Sequence, residues 1–253
     1  HGPMIPPGFR VDHHPVVTST QDTAKDRLHQ AGWSPELSGL VVTADAQTQG
    51  RGRQGRVWED KGGNLFATLG WHVDPFENPG DYSLMTAVSM RAAIQHVLPD
   101  SVSVSIKWPN DILLNGRKVA GILIERPEPN WLLIGTGVNV AHAPEGRACL
   151  MDFLDVARAD SVVTREGVLS LYLAQFAHWA TLYRQQGRGP ICSAWMDGAF
   201  GLGQTMNFRL ATESFTAVFR GLSDDGAARA ELPDGTVRLV YSGEVFFGGW
   251  GLS

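Results

Sequence analysis

Cysteine is nearly missing from this chain: Cys149 and Cys192 are the two among 253 residues. Two thiols without paired spacing build neither a disulfide framework nor a zinc site, and they match a reduced, cytoplasmic setting. No apolar run approaches the ~20 residues that a membrane-spanning helix needs, so no membrane partner is expected. A basic excess is missing as well. The chain has 21 Lys and Arg against 26 Asp and Glu, a formal net charge of −5. A general nucleic-acid binder carries a basic footprint, so no nucleic-acid partner is expected either. The opening "HGPMIPPGF" lacks a charged region followed by an apolar one, the pattern of a signal peptide. Internal repeats and low-complexity tracts are absent.

What remains is ordinary globular composition, 43% hydrophobic and 19% charged. The length allows one large domain, or a medium one with a small one. Ser19 or Thr20 caps a first helix that carries Ala24 and Leu28 on one face and stops near Gly32. "LVVTA" (40–44) and "NLFATLGWHV" (64–73) read as strands. "DYSLMTAVSMRAAIQHVL" has helical spacing, with Pro99 just beyond it. Val102, Val104 and Ile106 alternate. The runs 112–114 and 119–124 flank Asn115-Gly116, a hairpin turn because both residues tolerate positive φ. "WLLIGTGVNVA" is a further strand. Residues 161–186 form an amphipathic helix with a stripe of Val168, Leu169, Tyr172, Phe176, Trp179 and Tyr183, read as core. From Gly201 the texture changes to short alternating runs punctuated by Asp225-Gly226 and Asp234-Gly235, the pattern of a small antiparallel barrel. The expected fold class is α+β. A mixed sheet with helices occupies residues 1–200, and a small C-terminal β-barrel occupies 201–253, with the boundary near 198–203.

The stretch "QTQGRGRQGRVW" (47–58) holds G-x-G-x-x-G at Gly50, Gly52 and Gly55, the spacing of a dinucleotide-binding turn. That turn needs a strand ending just before it and a helix starting inside it. Here "RVWEDKGGNLF" follows, with Gly62-Gly63 and then a strand, so the dinucleotide reading fails. A loop joining two strands remains. Its glycines bring backbone N–H groups near a ligand, and Arg51, Arg53 and Arg56 neutralise it, since guanidinium is permanently charged and forks onto phosphate or carboxylate. A solvated basic loop and sequence-independent nucleic-acid contact stay open on these residues alone. Like charges on a glycine-rich segment also predict a loop without one fixed geometry until an anion arrives.

A second cluster is "KWPNDILLNGRKVAG". Pro109 breaks the strand, which sets Asn110 and Asp111 at a strand–turn junction where polar side chains can face a site. Asp111 is a hard oxygen ligand suited to Mg2+ carried by a nucleotide phosphate. Lys107 lies four residues before it, and Lys118 follows the hairpin turn, which can hold its ammonium at a fixed point. Taken singly, Asn-Asp reads as turn formers and Lys118 as a solvated charge. Two cationic clusters and a carboxylate together read as a site for a polyanion with metal. In "GTGVNV", Gly135 and Gly137 leave room beside a strand, and Asn139 can donate and accept hydrogen bonds, as a group reading an adenine or ribose edge does.

With these pieces in order, the chain resembles the biotin protein ligases. "STQ" at Ser19 is similar to the family's Ser-Thr-Asn. "QTQGRGRQGRVW" is similar to its Gly-Arg-Gly-Arg-x-Gly-Arg-x-Trp signature. "KWPND" and "GRKVAGIL" match its central motifs and "IGTGVNV" its Gly-x-Gly-x-Asn strand. "FRGLSDDGAARAELPDGTVRLVYSGEV" looks like its small end barrel. The likeness runs from about residue 10 to 247. It implies two half-reactions. Biotin and MgATP give biotinyl-5′-AMP and pyrophosphate. The acyl group then passes to a lysine of a biotin carboxyl carrier domain of a biotin-dependent carboxylase. Such chemistry is positioning and charge stabilisation with no side-chain nucleophile.

The resemblance implies catalytic roles for Lys118, which binds the biotin carboxylate and α-phosphate, and for Arg53. Arg53 and Arg56 clamp phosphates and Arg51 closes the loop over biotin. Ser19, Thr20, Gln47 and the Gly50 backbone bond the ureido ring. Trp58, Gly121, Leu123 and Gly135 line the pocket. Lys107, Asn110 and Asn139 serve ATP, and Asp111 its metal. Gln21 stands where the family usually has Asn, and Gln49 where Ala is common. "AHAPEGRACLMDF" lacks the usual Pro-x-Thr-Ser-Leu, and "EDKGGNL" lacks a common Ser-Pro. The start close to Ser19 predicts no N-terminal winged helix and no DNA-binding repressor function. Family members without that domain occur as monomers and homodimers. A ligase-like protein acting on lipoate or another acid, or one binding biotin or adenylate without turnover, is the competing expectation.

Overall fold

The computed structural model describes residues 3–50, 62–154 and 163–246. Its first unit is a seven-stranded mixed sheet. In chain order the elements are β1 (Arg10–Val17), α1 (Thr20–Gln30), β2 (Leu40–Gln47), β3 (Leu65–His72), α2 (Pro79–Val97), β4 (Val104–Lys107), β5 (Asp111–Leu114), β6 (Arg117–Glu128), β7 (Trp131–Val138), α3 (Arg165–Gln186) and α4 (Gly189–Asp197). The strand order is β1-β2-β3-β7-β6-β5-β4. β1 and β2 run parallel, joined through α1; the other neighbours are antiparallel.

Strand alternation decides what each face packs against. Leu40, Val42, Trp131 and Leu133 face α1 and meet its Ala24 and Leu28, both at 0% exposure. The intervening Val41, Leu132 and Ile134 point the other way, into a larger core with α2 and α3. Removing the Leu28 side chain beyond Cβ costs about 2–5 kcal/mol by cavity arguments, which is why α1 stays docked over the sheet. Ser19 starts α1 as expected: its Oγ accepts from Asp22 N at 3.0 Å. Asn78 caps α2 with Pro79 in the first helical turn, both favoured there.

Buried Asp81 of α2 binds the two helices that follow. It accepts from the Tyr183 hydroxyl at 2.7 Å and from Arg188 at 2.8 and 3.2 Å. Burial first, and the Asp81 carboxylate after it, push the Tyr183 hydroxyl above its ordinary value.

Asn115 (φ 46) and Gly116 (φ 83) form the tight hairpin turn read from the sequence. Two elements were not read there. β1 is an edge strand whose residues alternate between half-buried and exposed, so it lacks a strong apolar period. α4 is short and starts at Gly189-Pro190, which reads as a loop until Ile191 and Trp195 are seen to be buried.

After α4 the chain pairs briefly with the edge strand β4. Ile106 N donates to the Gly198 carbonyl at 2.7 Å, and Phe200 N to the Ile106 carbonyl at 2.8 Å. It then enters a second sheet of β8 (Thr205–Arg209), β9 (Ser214–Leu222), β10 (Ala228–Glu231), β11 (Val237–Val240) and β12 (Glu244–Phe246). These are antiparallel in the order β11-β10-β9-β8-β12, and among the described residues β11 and β12 are not paired with each other. The large core continues into this sheet through Met206, Phe208, Phe219 and Val245.

Candidate functional site

The face of the sheet that carries α1 is also where a pocket opens. Its lining is drawn from α1 and its cap (Ser19, Thr20, Gln21), the end of β2 (Gln47), β3 (Phe66), β5–β6 (Asp111, Lys118, Gly121, Ile122, Leu123) and β7 (Gly135, Thr136, Gly137). The concavity comes from missing side chains on two adjacent strands, β6 and β7. Gly121 pairs with Gly137, Gly137 also with Phe66, and Gly135 with Leu123 and Thr68. A Cβ on Gly135 would stand 2.7 Å from Gln21 Oε1 and 3.2 Å from the Leu123 carbonyl. The strand must therefore be bare at that point.

Lys118 reaches this pocket because of a bulge. Ile112 pairs with Ala120 but Leu113 with Lys118, leaving Val119 as the extra residue on β6. Bulges re-aim side chains. Here the ammonium lies 3.2 Å from Asp111 Oδ1. Lys107 and Asp111 are partners on the last rung of β4–β5, with Lys107 Nζ 3.7 Å from Asp111 Oδ2. Asp111 is thus shared by two ammoniums, of which Lys118, on the pocket wall, is the one an anion in the pocket can meet. Lys107 is the buried partner, at 2%, and its ammonium rests 4.5 Å above the Phe246 ring of β12. Arg209 approaches that ring at 4.4 Å and donates to buried Glu244 at 2.7 Å.

At the α1 end, Gln47 Oε1 accepts the backbone N–H of Thr20 at 2.8 Å. The oxygen must take that position, since a backbone N–H needs an acceptor, and the amide nitrogen is turned towards Gly50. A Cβ on Gly50 would come 2.5 Å from that nitrogen, so a side chain there would have to displace the Gln47 amide. Thr48 and Gln49 are held against the end of β1 by backbone bonds to Val17 and Thr18, at 3.0 and 2.7 Å. Gln49, the residue that departs from the family pattern, thus serves here through its backbone.

Of the residues read from the sequence, Ser19, Thr20, Gln47, Asp111, Lys118, Gly121, Leu123 and Gly135 lie together on the pocket wall. Gly50 stands at its edge. Lys107, Asn110 and Asn139 stand behind it: Asn110 Nδ2 donates to Ser83 Oγ at 2.8 Å, and Asn139 Nδ2 to the Ala148 carbonyl at 3.2 Å. Ala148 N in turn donates to the Lys118 carbonyl at 2.8 Å, so Asn139 fastens the 141–153 segment beside Lys118. Arg51, Arg53, Arg56 and Trp58, and with them the expected open geometry of the Gly/Arg loop, lie outside the described residues. Sequence reasoning missed Gln21, Phe66, Ile122 and Thr136 as lining. Only Gln21 carried a signal, as a departure inside "STQ".

Magnesium binds through one or two carboxylates and substrate phosphates, keeping several waters. Asp111 is the one carboxylate among the described lining residues, and both its oxygens face lysines. No group of three or more His, Cys, Asp or Glu that could hold a metal ion occurs among the described residues. No helix among them is long and apolar enough to cross a membrane.

A mixed sheet with a glycine-floored pocket, a lysine on its wall and a small C-terminal antiparallel sheet is an architecture shared with a solved biotin protein ligase. The chain belongs to the Biotin/lipoate A/B protein ligase family, whose model matches residues 14–150, and the Biotin protein ligase C terminal domain model matches 201–248. It is 34% identical over 244 residues to the Biotin--[acetyl-CoA-carboxylase] ligase of Paracoccus denitrificans, covering 92% of this chain and 100% of that one. It is 31% identical to the Bifunctional ligase/repressor BirA of Bacillus subtilis, covering 95% of this chain and 75% of the relative. Among solved structures it resembles the biotin protein ligase from Aquifex aeolicus in complex with biotin and ATP. That match has a TM-score of 0.79 and 26% identity, covering 93% of this chain and 97% of the other.

Proposed function

We propose that this protein is an ATP-dependent biotin protein ligase. It joins biotin to ATP as biotinyl-5′-AMP, then transfers the biotinyl group to a lysine of a biotin carboxyl carrier domain, as on an acetyl-CoA carboxylase. The observation that carries the reading is that Lys118 stands on the wall of the same pocket that the Ser19–Thr20–Gln47 group enters. A small acid with a polar, hydrogen-bonding head and a carboxylate needs both. The relatives named for this reaction support it over their nearly full shared length.

In the first step the biotin carboxylate attacks the α-phosphate and pyrophosphate leaves. Both reactants are anionic, so their approach is opposed until a cation spans them. Lys118 takes that place, held by Asp111, and its charge stabilises the transition state where negative charge gathers. Ser19, Thr20, Gln47 and the Gly50 backbone hold the ureido ring. Gly121, Leu123, Gly135 and Trp58 line the pocket and keep water from the mixed anhydride. Arg51, Arg53 and Arg56 close over the acid and gather ATP phosphates. Asp111 is the carboxylate that would meet magnesium brought with ATP, where the metal would offset phosphate charge. Lys107, Asn110 and Asn139 hold the nucleotide end in shape from behind the wall. We also propose that residues 1–200 form the catalytic unit and 201–253 a separate C-terminal unit, and that the protein acts in the cytoplasm as a monomer or homodimer.

ATP–pyrophosphate exchange run in parallel with biotin, lipoate and octanoate tests the reading. Exchange with biotin alone, followed by transfer to a purified carrier domain, is the expected result. Exchange with lipoate and none with biotin would overturn it.

A further inference from the structure

Gln21 separates two cavities. Inside is the acid pocket; outside is a surface cavity lined by Asp22, Lys25, Glu125, Arg126, Pro127 and Leu133. The side chain is 6% exposed and bonded at both ends of its amide. The nitrogen end meets only acceptors: Glu125 Oε1 at 3.0 Å, the Leu123 carbonyl at 3.4 Å and the Leu133 carbonyl at 3.5 Å. The oxygen end receives the Thr68 hydroxyl at 2.5 Å. Turning the amide over would set its oxygen against three acceptors, so one sense of the network is fixed by chemistry.

That sense propagates. A threonine hydroxyl has one hydrogen, and Thr68 gives its own to Gln21. The 2.8 Å contact between the Thr20 and Thr68 hydroxyls must then be donated by Thr20. Thr20 has spent its hydrogen and shows the pocket lone pairs only. Thr20 and Thr68 are 4% and 0% exposed, so little water is at hand to repair a mismatch.

We propose that Gln21 is a positioning residue that, through Thr68, fixes Thr20 as an obligate acceptor and so selects an acid whose head group offers an N–H at that point. The relay runs Thr20 to Thr68 to Gln21 to Glu125, from the pocket to the outer cavity. A shorter amide at position 21 would give up one of its two ends. Bare Gly135 is the counterpart, because a Cβ there would collide with the Gln21 amide. The inference rests on the biotin-ligase reading.

The test compares biotin with its cyclic carbonate analogue, which keeps the shape but puts oxygen lone pairs where biotin has N–H groups. Wild type, Gln21→Met and Thr68→Val are assayed by pyrophosphate exchange, with circular dichroism to confirm folding. The second variant stands in should the first fail to fold. Both changes let Thr20 turn its hydrogen into the pocket. Wild type strongly prefers biotin. In the variants the KM ratio of carbonate to biotin contracts by about tenfold or more, the scale of one mispaired buried group. A ratio that stays fixed while both KM values move together, or a wild type that accepts both acids alike, overturns this inference alone. A wild-type chain without biotin-dependent exchange overturns it together with the functional reading.

Discussion

Asp111 sits 3.2 Å from Lys118, with its second oxygen 3.7 Å from Lys107. One buried carboxylate thus holds two ammoniums, the half-exposed one in the pocket and the buried one under the second sheet. Lys118→Ala removes the cation that spans the two reacting anions. Exchange is expected to fall about 10²–10³-fold, the usual loss for one transition-state charge partner. Far-ultraviolet circular dichroism should be unchanged, because the side chain is on the wall and outside the core. Near-normal exchange would sink the assignment.

Asp111→Asn takes the charge from between the lysines while keeping the shape. Lys107 then loses the carboxylate it faces across β4–β5, and breaking a buried pair from one side costs about 3 kcal/mol or more. Urea denaturation measures it. An unchanged midpoint and slope would show that the pair contributes nothing to stability.

Gly135→Ala puts a methyl 2.7 Å from Gln21 Oε1 and 3.2 Å from a backbone carbonyl that cannot retreat. The expected cost is about 1–3 kcal/mol in stability, as for other overpacked sites. The KM for biotin should rise more than kcat falls, since the Gln21–Thr68–Thr20 chain is displaced before the Lys118 end is. A variant with wild-type KM would mean that the floor yields without disturbing the acid site.

Phe246→Leu keeps an apolar side chain under Lys107 and Arg209 but removes the ring face that both approach, at 4.5 and 4.4 Å. A desolvated cation over a ring contributes about 1–2 kcal/mol, and the variant should lose that much in urea unfolding. A change under about 0.5 kcal/mol would show that the ring acts by volume alone.

Local chemistry was legible from the sequence. Ser19 caps α1 and Asn115-Gly116 turns the hairpin because those preferences need only a few neighbouring residues. The strands around 40–44, 64–73 and 131–138 follow from apolar patterning, and Gly135 and Gly137 of the last were already read as places where something approaches. β1 and α4 were illegible because their burial is decided by partners elsewhere: an edge strand is apolar only where its neighbour covers it.

The sequence by itself determined the family through ordered motifs, the α+β succession of elements with its C-terminal strand pattern, and which residue types could meet an acid and a polyphosphate. Tertiary structure decided how they are joined. Gln21 reaches Glu125 across 104 positions, and Asp81 reaches Arg188 across 107. Both contacts exist only because helices and strands distant in the chain become neighbours in the fold. The hydrogen-bond sense of Thr20 follows from such contacts, since a hydroxyl's one hydrogen goes where the surrounding acceptors send it.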